Sequence, residues 1–113
     1  MLKRPLRDRR LRLLIALTVV LAAVSSVALA STKTALIKDN FFTPKTLTIN
    51  KGSKVTWQWK GSLFHNVTVK SGPVRFHSRN QYRGSYSHTF LRRGTYRLYC
   101  SLHPYMKMTV VVR

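Results

Sequence analysis

The chain has 113 residues and an extreme charge balance, 21 Lys and Arg against two acidic residues, for a formal net charge of +19. Asp8 and Asp39 are its only carboxylate side chains, which excludes paired-carboxylate acid–base catalysis and carboxylate-rich calcium or magnesium sites. A single cysteine, Cys100, rules out an intramolecular disulfide and leaves the thiol as a free nucleophile, an intermolecular cross-link or a metal ligand.

The first predicted element is a targeting segment. MLKRPLRDRRLR is basic, the run from Leu13 to Ala30 is apolar, and Ala28-Leu29-Ala30 is a small-x-small site. That pattern predicts a secretory signal peptide over residues 1–30, cleaved after Ala30, and hence an exported, periplasmic or otherwise extracytoplasmic protein. The competing reading is an uncleaved anchor, for which the apolar run stands at the short edge of spanning length. Arg9-Arg10 fits either a general or a twin-arginine export route. Cleavage leaves residues 31–113, enough for one small domain. Six of the 21 basic residues leave with the leader, as does Asp8, so the remainder has fifteen cations against Asp39, a formal +14. Such a surface draws acidic proteins, an anionic membrane or cell wall; export argues against nucleic acid.

From Ser31 onward the pattern alternates. TLTIN, VTWQW, HNVTV, SYSHTF, TYRLYC and MTVVVR each set apolar or aromatic residues two apart, the mark of half-buried strands. Turn chemistry separates them at Asn50-Lys51-Gly52, Gly61-Ser62, Ser71-Gly72-Pro73, Arg83-Gly84 and Arg93-Gly94. The stretch from Gly72 to Gly84 is polar and basic, and reads as a surface connection with a short strand near Val74 to His77. The expected architecture is an all-β Greek-key sandwich of about seven to eight strands.

The last predicted element carries the chemistry. CSLHPYM places Cys100, His103 and Met106 in one tight loop, and His65 stands at the start of a distant strand. A thiolate, two imidazoles and a weak thioether form the ligand set of a blue-copper site. His88 shares a strand face with Tyr86 and Phe90 and is expected to pack; His77 lies in the basic connection and is expected to face solvent. A Cys–His protease would need Cys100 to reach a substrate in a cleft, which a small sandwich does not offer.

These residues resemble the cupredoxins, in particular the plastocyanin and amicyanin group of type 1 copper proteins. The resemblance runs from Phe41 to Val112: F-x-x-P-x-x-L-x-I-x-x-G-x-x-V-x-W (Phe41 to Trp57), H-N-V (His65 to Val67), S-x-x-F (Ser87 to Phe90), G-T-Y-x-x-Y-C (Gly94 to Cys100) and C-x-x-H-x-x-M (Cys100 to Met106). It implies one copper ion cycling between Cu(I) and Cu(II), held by His65, Cys100, His103 and an axial Met106, in an electron carrier rather than an enzyme. The amicyanin-like spacing, and the distance to the closing strand at Val110, select Met106 over Met108. The same resemblance implies that Asn66 ties its strand to Ser101 and directs its N–H at the thiolate, which competes with reading Asn66-Val67-Thr68 as a glycosylation sequon. It also makes His103 the solvent-side ligand within an apolar docking patch of Phe64, Leu102, Pro104 and Tyr105. The positive charge of the domain, expected to be a monomer, makes the redox partner that docks there an acidic one. Lys107, Arg92 and Arg93 are the candidate cations beside that patch. A copper-delivery protein with the same ligands is the alternative.

Overall fold

A computed structural model describes residues 29–113; all but the last two residues of the predicted signal peptide lie outside the described residues. Eight strands follow in chain order: β1 (Thr32–Lys38), β2 (Phe41–Thr43), β3 (Thr46–Ile49), β4 (Lys54–Trp59), β5 (Thr68–Ser71), β6 (Ser85–Thr89), β7 (Gly94–Cys100) and β8 (His103–Val112). They form two four-stranded sheets, ordered β2-β1-β4-β6 and β3-β8-β7-β5. The β1–β4 and β3–β8 pairs are parallel and the others antiparallel. The fold is an all-β sandwich, as the alternation predicts.

The alternation that marks the strands also builds the core. β4 turns Val55, Trp57 and Trp59 inward, β7 turns Tyr96, Leu98 and Cys100 inward, and β8 does so with Met106, Met108, Val110 and Val112. Each large side chain so buried contributes about 1.5–3 kcal/mol. Trp57 is the hub. Its ring lies 6.0–6.4 Å from those of Tyr86, Phe76 and Phe90, and its indole N–H donates to Met108 Sδ at 3.5 Å. His88 stacks on Phe76, with centroids 3.7 Å apart, and burial lowers its pKa.

Four features depart from the sequence-based expectation. His65 lies in the connection before β5 and forms only an isolated bridge to Gln81. The expected Cys100–Met106 loop shrinks to Ser101 and Leu102, with His103 and Met106 on β8. β1 and β2 were not predicted; only Ala35 and Ile37 turn inward from β1, too short an apolar rhythm to stand out. The Val74 to His77 stretch is not a strand in its own right. It lies along β5 through the bonds Val69 N–H to Phe76 O and Ser78 N–H to Val67 O, with a single bridge between Thr68 and His77.

These pairings decide where function can sit. β7 and β8 are joined by only Ser101 and Leu102, and Cys100 pairs with His103 across that turn. The connection from β4 to β5, carrying His65 and Asn66, crosses the same end. At the opposite end, the Tyr96 hydroxyl donates to Arg92 O at 2.8 Å and holds the turn into β7. Replacing Tyr96 with Phe should cost about 1 kcal/mol, the usual worth of one such bond, in urea unfolding. It should leave the far end of the sandwich unchanged.

Candidate metal centre

Cys100 is fully buried at the last position of β7, facing the core like Tyr96 and Leu98 before it. His103 opens β8 and remains partly exposed. Their hairpin sets Cys100 Sγ 3.7 Å from His103 Nδ1. The third group arrives from another part of the chain: His65 is fully buried, with Nδ1 4.0 Å from the same sulfur. One ligand atom from each of His65, Cys100 and His103 lies within 4.8 Å of the other two. The imidazoles tilt at 52°, with centroids 4.9 Å apart.

The backbone at His65 is held on several sides. Its N–H donates to Gln81 O at 2.9 Å, while its carbonyl accepts from Gln81 N–H at 3.1 Å and from the Trp59 indole at 3.2 Å. Asn66 clamps the two segments together. Its side-chain amide donates to Ser101 Oγ at 2.7 Å and its carbonyl oxygen accepts from Ser101 N–H at 3.0 Å. Its backbone N–H points at Cys100 Sγ at 3.4 Å. Asn66 also donates to Asn80 Oδ1 at 2.7 Å, so the polar connection from Gly72 to Gly84 braces this end. Buried to this degree, Asn66 has no room for a glycan.

One residue close to the centre went unrecognised in the sequence. Asp39, in the turn between β1 and β2, lies 3.0 Å from His65 Nε2 through its Oδ1. Its carboxylate also accepts from the N–H groups of Ser62 and Leu63 and from the Ser62 hydroxyl. The backbone donors at Ser62 and Leu63, then His65, hold the Asp39 carboxyl far below the usual carboxylate range. Asn40 beside it takes φ 75°, a left-handed conformation that asparagine tolerates, and this closes the turn. The available sign was a lone acid inside a turn dipeptide.

Met106 and Met108 are both buried on the inward face of β8. They differ in their neighbours. Met108 pairs with Leu98 in the ladder, and its sulfur accepts from Trp57 in the middle of the core. Met106 precedes Lys107, which pairs with Tyr99, so it stands at the Cys100 end.

Around the centre, Leu63, Phe64, Tyr82, Leu102 and Tyr105 are exposed, and the Phe64 and Tyr82 rings meet edge to face with centroids 5.1 Å apart. The charges nearby differ from the sequence-based candidates. Lys107 is at this end, but Arg92 and Arg93 precede the first residue of β7 and so lie about 20 Å away, at 3.3 Å per residue of strand. Arg79 and Arg83 take their place, flanking Gln81 opposite His65.

Two imidazole nitrogens and a thiol, with no carboxylate among the three, suit copper or zinc and not a hard oxygen-seeking cation. A buried centre of this composition at one end of a two-sheet sandwich makes the chain a candidate single-metal domain. The pattern of the copper-binding proteins of the plastocyanin/azurin family matches residues 28–113, and the chain belongs to that family. It is 41% identical to amicyanin-alpha of Methylorubrum extorquens over 81% of this chain and 80% of that one, and 33% identical to amicyanin of Paracoccus versutus over 66% and 59%. Among solved structures it is similar to a reduced Cu(I) form of an amicyanin variant (28% identity, TM-score 0.66, 81% of this chain and 88% of that one). It is also similar to a copper-containing nitrite reductase of Thermus scotoductus (29%, TM-score 0.65), covering 80% of this chain and only 24% of that enzyme. The family and the His65, Cys100 and His103 group together make the cofactor one copper ion.

Breaking the clamp tests how the site is built. Asn66→Ala removes the bonds to Ser101 and Asn80 while sparing the His and Cys side chains. Affinity for Cu(II), followed by competition with a chelator, should fall about 10- to 100-fold, as is usual for groups that support metal ligands. Ser101→Ala should fall between this variant and the wild type.

Proposed function

We propose that this protein is an exported one-electron carrier in which His65 Nδ1, Cys100 Sγ and His103 Nδ1 would hold one copper ion, with the Met106 thioether as a fourth, weaker ligand. The observation that carries this reading is the convergence of the three donor atoms within 4.8 Å, from segments 35 residues apart. Bound there, copper supplies a single electron that can be gained or lost. The residues do the rest. Cys100 offers its sulfur from inside the core with the Asn66 N–H directed at it, and the short β7–β8 turn fixes His103 against it. A donor set held this firmly has little freedom to rearrange when the ion changes charge. Burial of Cys100 and His65 excludes water, and partly exposed His103, between Leu102 and Tyr105, is the route to a partner. The chain's own leader pattern supports export.

The basic surface supports an acidic partner, and we take the carrier to act as a monomer. Fifteen cations against Asp39 leave a positive field, with Lys107, Arg79 and Arg83 at the copper end. That field would steer the encounter while the apolar residues around His103 make the contact.

Three variants test the ligand assignment. Cys100→Ala should abolish the intense blue thiolate-to-Cu(II) absorption of the loaded protein. Met106→Leu should keep copper but shift the reduction potential and the spectrum, because the axial bond is weak. Met108→Leu should leave both nearly unchanged and lower stability by about 1 kcal/mol through loss of the Trp57 contact. The opposite ranking of the two methionines would move the axial ligand to Met108.

Carrier and delivery functions separate in a second experiment. The copper protein should give a reversible one-electron voltammetric wave and retain its ion for hours beside an excess of a copper-free acceptor. Stopped-flow oxidation of the Cu(I) form by anionic ferricyanide should slow about tenfold from low to physiological ionic strength, while a cationic cobalt(III) oxidant should speed up. Loss of copper within seconds would favour delivery. Equal salt responses to the two oxidants would remove the steering role of the basic surface.

A further inference from the structure

Asp39 is the only carboxylate side chain among residues 29–113, in a domain with fifteen basic side chains. Nothing in the general basic character of the surface explains why the single acid stands where it does. A turn cap needs one or two hydrogen bonds to its carboxylate, and the Ser62 and Leu63 N–H groups already donate those to Asp39. The contact to His65 Nε2 at 3.0 Å is additional, and it reaches the buried imidazole from the side opposite Cys100.

A second, independent feature protects the arrangement. A Cβ at position 61 would overlap Asp39 Oδ1 and lie 2.6 Å from its Cγ and 2.9 Å from its backbone nitrogen. Gly61 does not occupy the left-handed region, in contrast to Gly52 and Gly84. What requires glycine here is the close approach of Asp39, its carboxylate and its backbone nitrogen alike, not the bend of the chain.

We infer that Asp39 is a positioning residue for the copper centre: it holds His65 as the Nε2–H tautomer, aims the Nδ1 lone pair toward Cys100, and biases the bound ion toward Cu(II). The inference rests on His65 being a copper ligand. An ionised carboxylate only accepts hydrogen bonds, so the shared proton belongs to Nε2 and Nδ1 is left free to bind metal. A carboxylate behind an imidazole also makes it a stronger donor. Apart from the Cys100 thiolate that would bind the ion, the other side-chain charges of the domain are positive and favour the lower-charged Cu(I). Beyond the ligands, Asp39 is the one side chain that opposes them, one ring away from where the ion would sit. It adds a tether between the β1–β2 turn and the copper-binding segment.

The test compares the wild type with Asp39→Asn and Gly61→Ala. Asparagine keeps the shape and one oxygen for the Ser62 and Leu63 N–H groups but removes the charge; alanine at 61 displaces an unaltered carboxylate. In the metal-free protein, long-range 1H–15N correlation should find His65 wholly as the Nε2–H tautomer in the wild type and as a mixture in both variants. In the copper protein, the ratio of Cu(II) to Cu(I) affinity should drop about tenfold in both, a rise in midpoint potential of about 59 mV for a one-electron couple. Unchanged tautomer and unchanged potential in Asp39→Asn would reduce the carboxylate to a cap of the 61–63 turn and overturn the inference. Failure of the wild type to take up Cu(II) would overturn the ligand assignment instead, while the tautomer measurement would still decide whether Asp39 orients His65.

Discussion

The centre depends on the clamp between Asn66 and Ser101. A β-hairpin can present Cys100 and His103 side by side, but it cannot make a three-sided pocket. The third donor sits 35 residues earlier in the chain, in a connection that by itself would be free to move. Two reciprocal hydrogen bonds between Asn66 and Ser101, with the Asn66 N–H directed at Cys100 Sγ, fix that connection against the hairpin. The pocket is therefore a property of the folded sandwich. Both sheets contribute: Trp59 at the end of β4 grips the His65 carbonyl, and β7 and β8 supply the rest.

Charge and apolar surface are divided around this clamp. The single acid of the described residues lies against His65, while exposed Leu102 and Tyr105 flank His103 and Arg79 and Arg83 flank Gln81 opposite His65. Each location suits a different physical task. A carboxylate acts on a metal ligand only at contact distance, whereas cations act on an approaching protein over the roughly 8 Å screening length of physiological salt. An apolar rim matters only once water is squeezed out. The three can coexist at one end of a small domain because they operate at different ranges.

Much of this was legible in the sequence, and the failures have physical causes. Strands β4, β7 and β8 were readable because each turns three or more large side chains inward with a strict period of two. β1 buries only Ala35 and Ile37, and β2 only Phe42, so their rhythm does not rise above that of a loop. The meeting of Cys100 and His103 was legible because only Ser101 and Leu102 separate them, and His65 stood out as the histidine just before the alternation that becomes β5. Asp39 was not, since its contact with His65 spans 26 residues and depends on the β1–β2 turn meeting the 61–65 segment. Nothing in local spacing encodes that meeting. Arg92 and Arg93 were misplaced for a simpler reason: β7 runs from Gly94 to Cys100, so residues before Gly94 belong to the opposite end. Counting along the strand would have put them there.

The most direct measurement is a pair of crystal structures of the copper-loaded protein, oxidised and reduced. One ion should be bound to His65 Nδ1, Cys100 Sγ and His103 Nδ1, with Met106 as the weaker fourth ligand and the Asn66–Ser101 bonds intact. The donor atoms should move by less than about 0.5 Å between the two states, the tolerance of a preorganised site. An ion bound elsewhere, or a β7–β8 turn that rearranges when the electron is added, would contradict this arrangement.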